Sequence, residues 1–205
     1  MSNGYNKRPY VYKGVRMKSK LETHVAEAFD ELGLRWEYEP VTFCGSAYRS
    51  AQYTPDFYLP ELNCYVEATG TWDPNAPVSG GVDWGAAAEA HIECVRAFNE
   101  TEGEGWPDRQ TEGTGKPAIV CVDGQGRLSE DGVCWDRTMQ LNRCAVCGRW
   151  GILDTVMGWD CPRCGAHDGD HYCHFEDNLF EAAGLYEYAG RGREWERRGH
   201  AGSDA

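Results

Sequence analysis

The stretch "YTPDFYLPELNCYVEATG", residues 53–70, decides the fold. It reads as two short strands around a turn at Pro60-Glu61-Leu62-Asn63, where proline and asparagine act as breakers. A four-residue loop there pairs Leu59 with Cys64, Phe57 with Val66, and Asp56 with Glu67. Side chains alternate across a strand. Phe57, Leu59, Cys64 and Val66 then share an apolar face, while Asp56, Tyr58, Tyr65, Glu67 and Thr69 share the other. A slip of one residue would scramble both faces. The same register sets two carboxylates directly opposite each other, which destabilises a sheet. Either water washes this face, or a cation sits between the acids.

Outward from the hairpin, residues 19–32, "SKLETHVAEAFDEL", form the clearest helix. Ser19 and Glu22 have capping-box spacing. Leu21, Val25, Ala28, Phe29 and Leu32 recur at helical spacing, and Gly33 suits the position after the last turn. "LRWEYEPVTF", 34–43, alternates and reads as a strand; 53–59 and 64–69 supply two more. Residues 71–82 make a loop, and 84–100 a second helix with Asp83 as its N-cap. Residues 101–115 make another loop and 116–124 a buried strand. The order α-β-β-β-α-β belongs to an α/β or α+β layer architecture.

The chain has 205 residues, enough for one domain with a real core and a smaller module. It has no run of eighteen apolar residues to span a membrane, and its start lacks the apolar stretch of a secretory signal. A cytoplasmic protein is expected, with no membrane and no small-molecule cofactor among its partners. The net charge of −13 argues against nucleic-acid binding through global charge. The distribution differs: Lys7, Arg8, Lys13, Arg16, Lys18 and Lys20 fall in residues 1–21 without an acid, and "RGREWERRGH" adds four arginines. A local basic surface is what phosphate attraction needs; solvated tails are the other reading.

From about residue 140 the character changes. "CAVCGRWGILDTVMGWDCPRCG" holds two CxxCG knuckles, with thirteen residues between Cys147 and Cys161. In a reducing compartment such pairs mean metal sooner than disulfide. Cys144, Cys147, Cys161 and Cys164 are expected to close a tetrahedral structural zinc site. His167, His171, Cys173 and His174 offer a second metal site or are ordinary surface residues. Cys44, Cys64, Cys94, Cys121 and Cys134 read as buried thiols. The domains expected are 1–138, a four-cysteine zinc ribbon at 139–175, and a tail at 176–205 with a short helix.

"SKLE", "WEYEP", "TPDFYLPE" and "VEATG", in this order over roughly residues 15–125, resemble the PD-(D/E)xK nuclease superfamily. The likeness is to small phage-type nucleases and endonuclease-I-type Holliday junction resolvases. The resemblance implies an αβββαβ restriction-endonuclease-like core and Mg²⁺-dependent (or Mn²⁺-dependent) cleavage of DNA, branched DNA included. Asp56, Glu67 and the Ala68 carbonyl would hold Mg²⁺, and Glu22 would lean in from the helix. Such resolvases tend to be dimers; a homodimer signature is not visible in this chain.

One position departs from the pattern. Thr69 stands where the family has lysine, and a hydroxyl brings no positive charge. After Lys20 the only lysine is Lys116. Lys20 is the preferred substitute, with Lys116, Lys18 and Arg49 behind it. A second metal, or a nuclease fold that binds nucleic acid without cutting, are alternatives, as is a zinc-ribbon adaptor that docks on another protein. His24 reads as a surface residue, and Trp36 and Tyr38 as packing or base-stacking groups. Arg143, Arg149, Trp150 and Arg163 would let the ribbon grip DNA, unless it is purely structural.

Overall fold

The computed structural model describes residues 10–48, 51–69, 93–95, 97–98, 101, 117–129, 138–154, 161, 164–166, 173–176 and 178–188. Helix α1 spans Lys20–Glu31. Ser19 caps it, its Oγ accepting the Glu22 N–H at 3.1 Å. The Glu22 carboxylate does not return to Ser19, as a full capping box would require; it takes the N–H of Lys18 at 3.0 Å. Gly33 follows the last turn with φ of 69°, the left-handed conformation that glycine adopts without a Cβ penalty. Val25, Ala26, Ala28 and Phe29 are buried.

Strands β1 (Tyr10–Tyr12) and β2 (Val15–Met17) form a hairpin ahead of α1. Its turn residues Lys13 and Gly14 both have positive φ, 46° and 86°, the two-residue turn whose twist matches the strands. The expected strand 34–43 is split into β3 (Glu37–Tyr38) and β4 (Phe43–Cys44). Between them Glu39 sits at φ of 46° and is followed by Pro40, which has no N–H to donate. Proline likewise splits 53–59: β5 (Gln52–Tyr53) pairs with β4, and β6 (Phe57–Leu59) resumes after Pro55.

The hairpin of β6 with β7 (Cys64–Ala68) has the expected register, Phe57 against Val66 and Leu59 against Cys64. Asn63 closes its turn at φ of 46°, a conformation asparagine tolerates. Residues 93–95, 97–98 and 101 are helical, and the rest of the expected second helix lies outside the described residues. Then follow β8 (Ala118–Val122), β9 (Leu128–Ser129), β10 (Thr138–Cys144), β11 (Trp150–Asp154), β12 (Cys173–Glu176) and α2 (Leu179–Ala182).

Among the described residues the result is a mixed α+β fold on an eight-stranded sheet, ordered β11-β10-β9-β8-β7-β6-β3, with β12 beside β10. All its pairs are antiparallel except β7 with β8. The expected 138/139 boundary falls inside β10, whose Thr138 and Met139 pair with Ser129 and Leu128. One core cluster joins Phe57, Leu59, Cys64, Val66, Val120 and Val122 to α1. The other face carries Tyr53, Phe98, Ile119 and Cys121, with Phe43 and Tyr65 packed against them. Both faces of the hairpin are therefore covered, and water does not wash the acidic one. Among the described residues no helix is long and apolar enough to cross a membrane.

Candidate acidic site and four-cysteine centre

At the open end of the hairpin Asp56 and Glu67 are both buried, 6 % and 8 % exposed. The Asp56 Oδ2 accepts the Ala68 N–H at 2.9 Å, and Glu67 Oε2 accepts the Tyr53 hydroxyl at 2.7 Å. Burial pushes the Asp56 carboxyl up to about 7; the Ala68 N–H opposes this, Glu22 adds to it, Lys18 opposes it and Glu39 adds. Burial, then the Asp56 charge, push Glu67 well above the usual carboxylate range, against Tyr53, the Asp56 N–H and Lys18. A buried carboxyl raised by a second buried carboxylate in this way favours either a shared proton or a cation.

Glu22 is buried on the first turn of α1, and its Oε2 takes the Tyr38 hydroxyl at 2.5 Å besides the Lys18 N–H. Tyr38 thus serves Glu22 and packs on Phe57. Glu22, Asp56 and Glu67 do not close as a trio; among the described residues the four cysteines form the one group of three or more candidate metal ligands within 4.8 Å of one another. Thr69 is half-buried, its N–H donating to the Val122 carbonyl at 2.8 Å. Lys20 is exposed, and its charge acts on His24, one turn along the helix. Lys18 pairs with Glu39, and its charge acts on Asp56 and Glu67. Arg49 and Lys116 lie outside the described residues.

The cysteine centre is built from two matching turns. Cys144 N–H bonds to the Arg149 carbonyl and Gly148 N–H to the Cys144 carbonyl; Cys161, Gly165 and Ala166 repeat the pattern. Gly148 and Gly165 share a φ of 71°. The four sulfurs lie within 4.8 Å of one another, with Cys144 and Cys164 3.6 Å apart and Cys147 and Cys161 3.5 Å apart. These separations are too long for disulfides. Zn–S bonds of about 2.3 Å put tetrahedral sulfurs about 3.8 Å apart, so the cluster suits zinc. Burial pushes the Cys144 thiol up, but the N–H groups of Cys147 and Val146 and neighbouring thiols bring it down to about 7. Its partner Cys164 goes the other way: against the Ala166 N–H, burial and the neighbouring Cys161, Cys144 and Cys147 raise it to about 12.

Comparison with family models, curated proteins and solved structures finds no match for this chain.

Other expected residues fall as follows. His24 is half-buried, stacked on Tyr188 with ring centroids 3.6 Å apart, and is not the surface residue expected. Trp36 packs on Phe57 and donates to Asp30. Arg143 lies over the Trp150 ring at 5.9 Å, and Arg149 donates to the Glu61 carbonyl. Cys64 and Cys121 are buried as expected, but Cys44 is exposed and Cys94 half-buried. Asp83, Cys134, Arg163, His167 and His171 lie outside the described residues. Cys173 and His174 stand in β12, opposite Cys144 and Arg143. The sequence reading left Tyr53 and Glu39 unassigned. Glu39 is visible in "WEYEP" as an acid next to proline; Tyr53 carries no such signal, because its partner is set by the fold.

Proposed function

We propose that this chain is a metal-dependent DNA endonuclease of the PD-(D/E)xK type, with a zinc centre that stiffens its C-terminal half. The observation that carries the reading is the buried opposition of Asp56 and Glu67 across one hairpin. Such a pair is costly without a cation, and hard carboxylate oxygens match Mg²⁺ or Mn²⁺. The element order from α1 through β3, β6 and β7 to β8, with helical residues before β8, supports the same reading.

In this proposal Asp56, Glu67 and the Ala68 carbonyl hold the ion. When bound, Mg²⁺ polarises the phosphate and eases deprotonation of water. Tyr53 orients Glu67, while Tyr38 and the Lys18 N–H fix the Glu22 carboxylate. The water oxygen bonds to phosphorus and the P–O bond to the leaving deoxyribose oxygen breaks with its electron pair. The water proton passes to solvent, and the leaving oxygen takes one up. Cys144, Cys147, Cys161 and Cys164 hold one structural Zn²⁺.

The test is a cleavage assay with Mg²⁺ or Mn²⁺ on linear, nicked, branched and single-stranded DNA, with Asp56→Ala and Glu67→Ala as controls. Wild-type cleavage lost in both variants supports the reading. Thr69 favours a second reading, a nuclease fold that binds DNA without cutting; a wild type that binds these DNAs but cleaves none of them would establish it.

A further inference from the structure

We propose that Lys18, set in place by Glu39, supplies the positive charge beside the phosphate that Thr69 cannot; this rests on the nuclease reading above. Lys18 is held at both ends. Its backbone N–H bonds to Glu22 Oε2 at 3.0 Å and to the Tyr38 hydroxyl oxygen at 3.2 Å. Its ammonium pairs with the Glu39 carboxylate, yet the Lys18 side chain stays 64 % exposed, within reach of an incoming polyanion. Glu39 in turn hangs from the acidic site, its N–H donating to the Asp56 carbonyl at 2.8 Å. Lys18, Glu22, Tyr38, Glu39 and Asp56 thus form one connected network at the open end of the hairpin.

The backbone of Glu39 points the same way. Its φ of 46° is a left-handed conformation carried by a residue with a Cβ. Such strain persists only where the surroundings enforce it, and it clusters at functional sites. Lys18 is exposed and Glu39 half-buried, 64 % and 29 %, so solvent screening leaves this ion pair only a modest stabilising role. Placing the ammonium is a role that strain of this kind serves. Lys18 also lowers both Asp56 and Glu67 against their burial. Of the other described lysines, Lys13 pairs with Asp30, and Lys20 is exposed, its charge felt at His24 one turn along the helix.

As water attacks phosphorus, negative charge builds on the non-bridging oxygens. A fixed ammonium there binds the transition state better than the ground state. Lys18 is the catalytic group in this proposal, and Glu39 is a positioning residue.

The experiment is steady-state cleavage of DNA in Mn²⁺, paired with calorimetric titration of Mn²⁺ into each folded variant. Lys18→Ala is expected to lower kcat at saturating Mn²⁺ by about 10²–10³-fold, with KM for DNA unchanged and any drop in Mn²⁺ affinity far smaller than the drop in rate. Lys18→Arg should retain part of the rate, and Thr69→Lys added to Lys18→Ala should restore it. Glu39→Gln should lower kcat by up to about 10²-fold without moving KM, and Glu39→Asp should lose less. If Lys18→Ala and Lys18→Arg turn over like wild type, the inference is overturned while the nuclease reading stands. Loss of Mn²⁺ binding equal to the loss of rate would make Lys18 structural and overturn it too. A wild type inert with either metal on every substrate brings down the nuclease reading, and this inference with it.

Discussion

Tyr53 donates a hydrogen bond from its hydroxyl to Glu67 Oε2 from strand β5, which pairs with β4 and not with the hairpin that carries Glu67. The bond ties two separate sheets together at the acidic site. Tyr53→Phe keeps the ring that packs on Tyr48 and Phe98 and removes only the donor. A loss of about 1 kcal/mol is expected, read as a lower urea midpoint at unchanged slope. Because the hydroxyl holds the Glu67 carboxyl down, Mn²⁺ should also bind more weakly near neutral pH. Unaltered stability and Mn²⁺ affinity would show that the hydroxyl does no such work.

Stability without Mg²⁺ or Mn²⁺ should fall as pH rises from about 4 to about 7 at Asp56. Folded, this carboxyl keeps its proton up to about 7, chiefly because it is buried; unfolded, it titrates near about 3.9. The folded state binds the extra proton between these values, so the contribution is full below the lower one and lost through the higher one. Calorimetric melting of zinc-loaded protein at pH 5 and pH 7.5 checks this. Asp56→Asn should flatten the dependence, and added Mn²⁺ should restore wild-type stability at the higher pH. A wild type and an Asp56→Asn variant with the same pH slope would count against it.

One zinc per chain is expected by elemental analysis, and none in Cys161→Ser. Structural zinc contributes roughly 10 kcal/mol or more in small modules. Since β10 carries Cys144 and also pairs with β9, stripping the metal should loosen β10, β11 and β12. Hydrogen exchange should then lose protection in these strands while α1 and β7 keep theirs. Unchanged protection after chelation would remove zinc from the account of the fold.

Gly126→Ala should destabilise the C-terminal segment. Gly126 has φ of +85°, and a Cβ there would stand 2.5 Å from Asn178 Oδ1 and 2.6 Å from the Phe180 ring. Asn178 Oδ1 also caps α2 by accepting from Phe180 and Glu181. The expected cost is about 1–3 kcal/mol, with protection lost over 178–188. A variant as stable as wild type would show that this segment docks less tightly than it does here.

The hairpin register was legible because alternation constrains both faces of 53–70 at once. The cysteine cluster was legible because two CxxCG turns leave little freedom. The breaks at Glu39-Pro40 and Pro55 are hard to see in sequence: alternating residues on either side look like one strand, yet a proline without an N–H interrupts the ladder. The β1–β2 hairpin has its signal in Lys13-Gly14 between "YVY" and "VRM", beneath the basic residues that dominate the segment. The closure of Lys18 onto Glu39 and of Tyr53 onto Glu67 is a product of tertiary packing, and no local pattern encodes it.

The pairing of β7 with β8 has a kinetic consequence. β6 and β7 are joined by a short turn and can meet within about 1–10 μs. Glu67 meets Cys121 only after β8, far along the chain, has come to lie parallel to β7, and such non-local pairing is slow. The two acids therefore spend the early steps of folding in water, where their repulsion is screened. Their removal from solvent is deferred to a late step, and substitutions at Asp56 or Glu67 should change the unfolding rate far more than the folding rate.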